Sequence, residues 1–202
     1  MITTSVPIIL ASQSPRRAHL LRQIGLTFSV QPSSVPEEID SAETPAANVQ
    51  RLALLKANEV AVRYTAGIVI GSDTIVVIDG DVLGKPDSRQ HAVEMLTRLS
   101  GRTHTVYTGF ALVDAATKKS YIGCEQTEVT FRTLTQQEIG GYVDTGSPMD
   151  KAGSYGIQDD FGAVFVDRIA GDYYTVVGFP LSKFYTAFTA FARDLGYLKG
   201  TP

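Results

Sequence analysis

Four features of this 202-residue chain place reactive side chains where folding alone would not ask for them. The first is the run Ser12-Gln13-Ser14-Pro15-Arg16-Arg17. The apolar Ile8-Ile9-Leu10 before it reads as a buried strand, and Pro15 behind an N-capping Ser14 opens a helix. Arg16 and Arg17 therefore enter the first helical turn, where the macrodipole is already positive and stability favours acids instead. Two guanidiniums beside backbone N–H groups form an anion site, most naturally one for phosphate; the alternative is a solvated basic turn. The second is Asp73, set in the apolar stretch Ile68 to Ile78 (IVIGSDTIVVI). Carboxylates are almost never buried without a partner, so Asp73 is a candidate acid, base or metal ligand, or else a structural acid paired with a nearby arginine. The third is Lys56, which falls between Leu52 and Val60 on the apolar stripe of a helix; it either points inward at a ligand or snorkels at the helix margin. The fourth is Gly146 to Gly162, a glycine-rich polar stretch holding Asp150, Lys151, Tyr155 and Gln158. It is too long for a minimal turn and reads as a substrate loop or an irregular connection.

The remaining elements must position these groups. The first helix carries Leu20, Leu21 and Ile24 inward and stops at Gly25. Phe28 to Val30 reads as a strand, and the loop Gln31 to Pro45 holds Glu37 and Glu38. A second helix runs from Thr44-Pro45 to about Tyr64 on Val49, Leu52, Ala53, Ala57 and Val60. Gly71-Ser72-Asp73-Thr74 reads as an interruption of the strand that follows, with Gly71 marking a bulge or a close backbone approach. Asp79-Gly80 is a hairpin turn leading to Gly84-Lys85-Pro86. That is no Walker A loop, since Pro86 stands where a metal-binding Ser or Thr is needed; Lys85 is a phosphate contact or a surface lysine. Ser88 to Leu99 is an amphipathic helix, Thr103 to Val113 and Cys124 to Leu134 suggest an antiparallel ribbon, and Thr135 to Val143 opens with a capping box through Glu138. His104, at the start of the ribbon, is expected to be exposed. The last helix follows Pro180, with Leu181, Phe184, Tyr185, Phe188, Phe191, Ala192 and Leu195 on one stripe.

Bulk properties narrow the function. Formal net charge is −3, so no global basic field invites nucleic acid, and an anionic substrate must be held by local charge. One cysteine, Cys124, excludes an intramolecular disulfide framework, and the three histidines show no metal-ligand spacing. No segment approaches the roughly 18 apolar residues of a membrane span, and the N-terminus lacks signal-peptide features. A cytoplasmic protein is the expectation.

In order along the chain, LASQSPRRAHLL, RLALLKA, GSDTIVV, GKP, LSGRTHTVYTG, DKAGSYGIQ and VVGFPL resemble the motifs of the Maf family of nucleotide pyrophosphatases, related in fold to the inosine triphosphate pyrophosphatases. The resemblance covers nearly the whole chain. It implies one α/β domain over residues 1–202, an elongated mixed β-sheet with packed helices, and two lobes around a cleft. It implies cleavage of a nucleoside triphosphate to the monophosphate and pyrophosphate with a divalent metal, Mg²⁺ before Mn²⁺ or Co²⁺. Asp73 then matches the proton acceptor. Arg16, Thr74 and Gln158 match the specificity positions of the subgroup acting on dTTP and UTP. A sister subgroup acting on a methylated guanosine triphosphate carries tryptophan, glutamine and glutamate there, and this chain has no tryptophan. Ser12, Arg17, Glu37, Lys56 and Lys85 also fall on common family positions; Ser12, Arg17, Lys56 and Lys85 are expected to hold the phosphates, and Glu37 with Asp73 the metal. The sequence departs in having Pro36 where an acid often precedes Glu37, which leaves Glu38 as the competing ligand, and Asp159 where glycine usually follows the glutamine. A homodimer is the family expectation. The competing reading, also taken from the family, is a nucleotide-sensing interaction protein that affects septum formation in cell division.

Overall fold

The structure is a computed structural model and describes residues 3–158 and 161–199. It is a mixed α/β fold built on a seven-stranded sheet in the order β2 (Ser29–Val30), β1 (Ile8–Leu10), β3 (Ile68–Ile78), β5 (Thr103–Asp114), β6 (Ser120–Phe131), β7 (Val166–Ala170), with β4 (Asp81–Leu83) paired to β3 off that path. The chain divides into two compact units: Met1–Asp73, Thr108–Glu125 and Gly178–Pro202 form the first, and Thr74–Tyr107 with Gln126–Val177 form the second. Strands β3 (Ile68–Ile78), β5 (Thr103–Asp114) and β6 (Ser120–Phe131) each contribute residues to both.

In the first unit, β1 (Ile8–Leu10) lies parallel to β2 (Ser29–Val30) and to β3, with Ile9 opposite both Ser29 and Val69. Its three side chains are buried, as an apolar run between two strands requires. Helix α1 (Pro15–Gln23) starts on Ser14, whose Oγ accepts the Arg17 N–H, and turns out through Gly25 at φ 75°. Helix α2 (Pro45–Ala61) is capped by Thr44 and packs directly on the sheet. A Cβ on Gly71 would overlap the Ala53 carbonyl oxygen, and one on Gly109 would overlap that of Val49. Both glycines therefore serve close backbone approach and not a bulge, and β3 runs uninterrupted through Gly71-Ser72-Asp73-Thr74. Helix α6 (Leu181–Asp194) buries Phe184 against Phe179 and Phe110 and Phe188 against Phe184, while Tyr185 turns outward and stands 45% exposed, off the expected stripe.

In the second unit, β4 (Asp81–Leu83) folds back antiparallel on β3 after Asp79-Gly80, and β7 (Val166–Ala170) is antiparallel to β6. Helices α3 (Arg89–Leu99), α4 (Gln136–Asp144) and the short α5 (Tyr173–Val177) belong to this unit. The expected capping box at α4 is present: Thr135 Oγ1 accepts the Glu138 N–H at 3.2 Å, and Glu138 Oε2 accepts the Thr135 N–H at 2.8 Å. Its core brings Leu96, Val106, Phe131, Tyr142, Tyr155 and Phe165 together.

His104 is part of this core and not of the surface. It is 2% exposed, because β5 alternates from an exposed Thr103 and puts His104 on the same face as Val106 and Thr108. Its Nε2 lies 2.8 Å from the Tyr155 hydroxyl, and its Nδ1 is buried without a hydrogen-bond partner. Burial lowers its pKa to about 4. The unfolded chain, with an ordinary histidine, binds the proton first as pH falls. Stability from the neutral imidazole is therefore complete above about pH 6.5 and is lost as pH falls toward 4. Urea unfolding at pH 7 and pH 5 should show a loss for the native protein about 2 kcal/mol larger than for H104Q; equal losses would remove His104 from the pH dependence.

Candidate active site

The strand-to-helix turn after β1 is knitted from its own side chains. Ser12 is buried, and its Oγ accepts the Ser14 N–H and Arg17 Nη1, each at 3.2 Å. Arg17 Nε donates to the Gly178 carbonyl at 3.1 Å. The VVGFPL segment thus supplies a backbone acceptor for this guanidinium, a role that residue type could not reveal because every residue has a carbonyl. Burial lowers the Arg17 pKa; the Asp73 and Glu37 carboxylates oppose that shift and Arg16 adds to it. Arg17 therefore lies in the field of both acids and of its neighbouring arginine. Arg16 and Arg17 are half-buried.

Lys56 sits at the centre of the acids. The α2 stripe carries it inward, where it is 5% exposed, and Nζ lies 2.5 Å from Asp73 Oδ1 and 2.7 Å from Glu37 Oε1. Asp73 is 4% exposed, whereas the Glu37 side chain is 46% exposed. One ammonium thus joins a buried carboxylate to a more accessible one. The structure brings Glu37 to Lys56, whereas Glu38 meets α2 through its backbone, its carbonyl accepting Arg51 Nη2 at 3.1 Å. Asn48 holds the same loop, accepting the Asp40 N–H and donating to the Asp40 carbonyl, both at 2.8 Å. Arg51 adds a 2.7 Å bond to Glu43 and another to Asn48 Oδ1. Neither Asn48 nor Arg51 stands out among the sequence-predicted site residues. The signal that could have found the first is a polar Asn48 four residues before Leu52 on the buried stripe.

In the second unit, Thr74 follows Asp73 along β3 and is half-buried. Lys85 is exposed after β4, in a turn tied by the Gly153 N–H to the Gly84 carbonyl at 3.0 Å. Within the long polar loop, Ser147–Asp150 and Ala152–Ser154 form 3₁₀ turns. Lys151 is buried within it and bonds to the Ser147 carbonyl at 2.6 Å and to Asp150 at 3.0 Å. Tyr155 is buried in the core, and Gln158 is half-buried three residues on. Asp159 lies outside the described residues.

Two acids with one cation between them and two guanidiniums nearby can neutralise a polyphosphate and orient a water against it. Comparison with known proteins agrees with that chemistry. The family model described as "Maf-like protein" matches residues 7–191. A dTTP/UTP pyrophosphatase of Desulforamulus reducens is 48% identical over 189 residues, covering 94% of this chain and 98% of that protein. A dTTP/UTP pyrophosphatase of Bacillus pumilus is 52% identical over 87% of this chain and 92% of its own length, and one of Symbiobacterium thermophilum is 52% identical over 93% and 95%. With the family model matching residues 7–191 and about half of the aligned residues identical along nearly the whole length of these relatives, the chain belongs to the Maf family.

Proposed function

We propose that this protein is a metal-dependent nucleoside triphosphate pyrophosphatase that hydrolyses dTTP and UTP to the monophosphate and pyrophosphate, as a house-cleaning activity of the cytoplasm. The observation that carries this reading is the convergence of the Glu37 and Asp73 carboxylates on one cationic position, held by Lys56 Nζ. The names of the relatives give the substrate class. No described helix is long and apolar enough to cross a membrane.

The donor set suits a divalent ion of the magnesium type. Glu37 and Asp73 each keep a second hard carboxylate oxygen besides the one bonded to Lys56, and no cluster of three His, Cys, Asp or Glu exists among the described residues. Magnesium takes one or two carboxylates and fills its shell with water and substrate phosphate, which matches such a sparse site. When bound, the ion neutralises phosphate charge and fixes the geometry of the scissile anhydride.

The chain's own residues do the rest. Asp73 accepts the proton of the attacking water, from a rigid strand position where its carboxylate is already oriented by Lys56. Lys56 keeps the two acids together and adds positive charge beside the phosphates. Arg16 and Arg17 contribute the guanidiniums of the helix start, with Ser12 fixing Arg17, and Lys85 supplies a further cation. Gln158 carries an amide donor and an acceptor that suit the O4 and N3–H edge of uracil or thymine, and Thr74 assists in that choice.

Purified protein with Mg²⁺ should release pyrophosphate from dTTP and UTP well ahead of CTP, ATP and GTP, and chelation should abolish turnover until metal is returned. Orthophosphate as the sole product would overturn the reaction. Substituting Asp73→Asn should lower kcat by at least about 100-fold, the usual worth of a positioned base, with a native circular dichroism spectrum at the assay temperature and a lower melting temperature, since Lys56 loses its buried partner. Retained turnover would exclude Asp73 as the base. The two glutamates separate by metal titration: E37Q should raise the Mg²⁺ concentration for half-maximal activity about tenfold, a charged contact of some 1.4 kcal/mol, whereas E38Q should leave it unchanged.

A further inference from the structure

The segment that carries Gln158 is held from inside the second unit. Ser154 takes a left-handed backbone, φ 62°, which a residue with a side chain adopts only when its surroundings impose it. Its buried Oγ lies 3.1 Å from Met95 Sδ. That turn delivers Tyr155 into the core, where its ring meets Phe131 nearly perpendicularly at 4.7 Å and His104 at 5.3 Å. The next residue is fixed as well, since the Gly156 N–H donates to the Tyr142 hydroxyl at 3.3 Å and a Cβ at Gly162 would sit 2.7 Å from the Gly156 carbonyl. Gln158 follows within three residues of Tyr155, a reach of about 10 Å at most.

Among these aromatic contacts one pair is polar, His104 Nε2 with the Tyr155 hydroxyl at 2.8 Å. Phenylalanine at either position would suit the apolar surroundings, and His104 leaves its Nδ1 buried and unpartnered, which costs stability. What the polar pair adds is direction. Edge-to-face packing restricts the tyrosine ring, and a hydrogen bond between two buried rings adds a directional constraint on both depth and orientation. We propose that His104 and Tyr155 form a positioning latch for base discrimination, fixing the backbone that presents Gln158. The inference rests on the reading of Gln158 as the group that recognises the pyrimidine.

The latch acts on the base and not on the scissile bond, so its loss separates KM from kcat. In H104F and Y155F the KM for UTP should rise about tenfold, the worth of one buried hydrogen bond converted to affinity. The UTP-to-CTP ratio of kcat/KM should fall, and kcat for UTP should stay within about twofold. H104Q, whose side-chain amide reaches the place of the imidazole Nε2, should restore both values. Q158A should lower the same ratio, and H104F combined with Q158A should lower it no further. If Q158A collapses discrimination while H104F, or Y155F where H104F does not fold, leaves it unchanged, the latch is wrong and the reading of Gln158 stands. If Q158A itself leaves discrimination unchanged, that reading falls and the latch with it. An equal loss of kcat for both nucleotides in a folded Y155F would make the pair structural only and overturn the proposal.

Discussion

An ammonium group taken out of water must be compensated, and this constraint organises the first unit. Lys56 is buried because α2 lies directly on the sheet at Gly71 and Gly109, leaving no room for its side chain to escape to solvent. The same close approach sets the helix against β3 two residues before Asp73. A carboxylate there meets the ammonium, and a second one, Glu37, must come from the loop. Replacing a buried ion pair by well-packed apolar residues is often neutral or stabilising. The arrangement is therefore better understood as fixing the position of charges than as a source of stability. Such fixed charges, already oriented before substrate arrives, need little reorganisation during reaction.

The loop from Gln31 to Pro45 shows how much local chemistry it takes to place one acid. Short-range turn geometry does not decide whether Glu37 or Glu38 faces Lys56, since a one-residue slip would exchange them. The decision is made by α2, where Asn48 pairs with both backbone groups of Asp40 and Arg51 takes the Glu38 carbonyl. With Glu38 held by its backbone, Glu37 is the residue left to turn toward the lysine. Arg17 is placed by a similar device. Its guanidinium bonds to Ser12 Oγ and the Gly178 carbonyl, within the field of both acids.

Where the rule is local, the sequence is readable. Ser14-Pro15 ahead of an amphipathic stretch, and Thr135 with Glu138, contain within a few residues all the groups that make the caps. Asp73 is legible because a carboxylate in an apolar strand breaks a strong pattern. Lys56 is ambiguous for a physical reason: helical periodicity gives its face, but only the packing distance of α2 decides whether a lysine there snorkels or is enclosed. The apparent break at Gly71-Ser72-Asp73-Thr74 comes from composition alone. Small and polar residues suggest a turn, yet the glycine is small because a helix crosses it. Residue type likewise misplaces His104 on the surface, although the alternation through Val106 and Thr108 already puts it on the inner face. Its partner, Tyr155, is 51 residues away, and no local pattern announces it.

Within each unit, side chains are fixed by different physics. In the first, charge compensation fixes the acids and cations, and Coulombic attraction ties Arg17 to Asp73 and Glu37. In the second, perpendicular aromatic packing and one buried polar pair fix a backbone segment. Under the proposed function these two devices answer two different chemical demands. A phosphoanhydride carries dense charge whose field weakens slowly with distance, so charges fixed by strong ion pairs suffice to hold and activate it. Telling uracil from cytosine turns on which of two atoms donates a hydrogen bond, and donor and acceptor must meet within a few tenths of an ångström. In the proposed reading, the Gln158 amide meets that demand only if the chain behind it cannot shift, and the interlocked rings and polar pair next to it in sequence would hold it still.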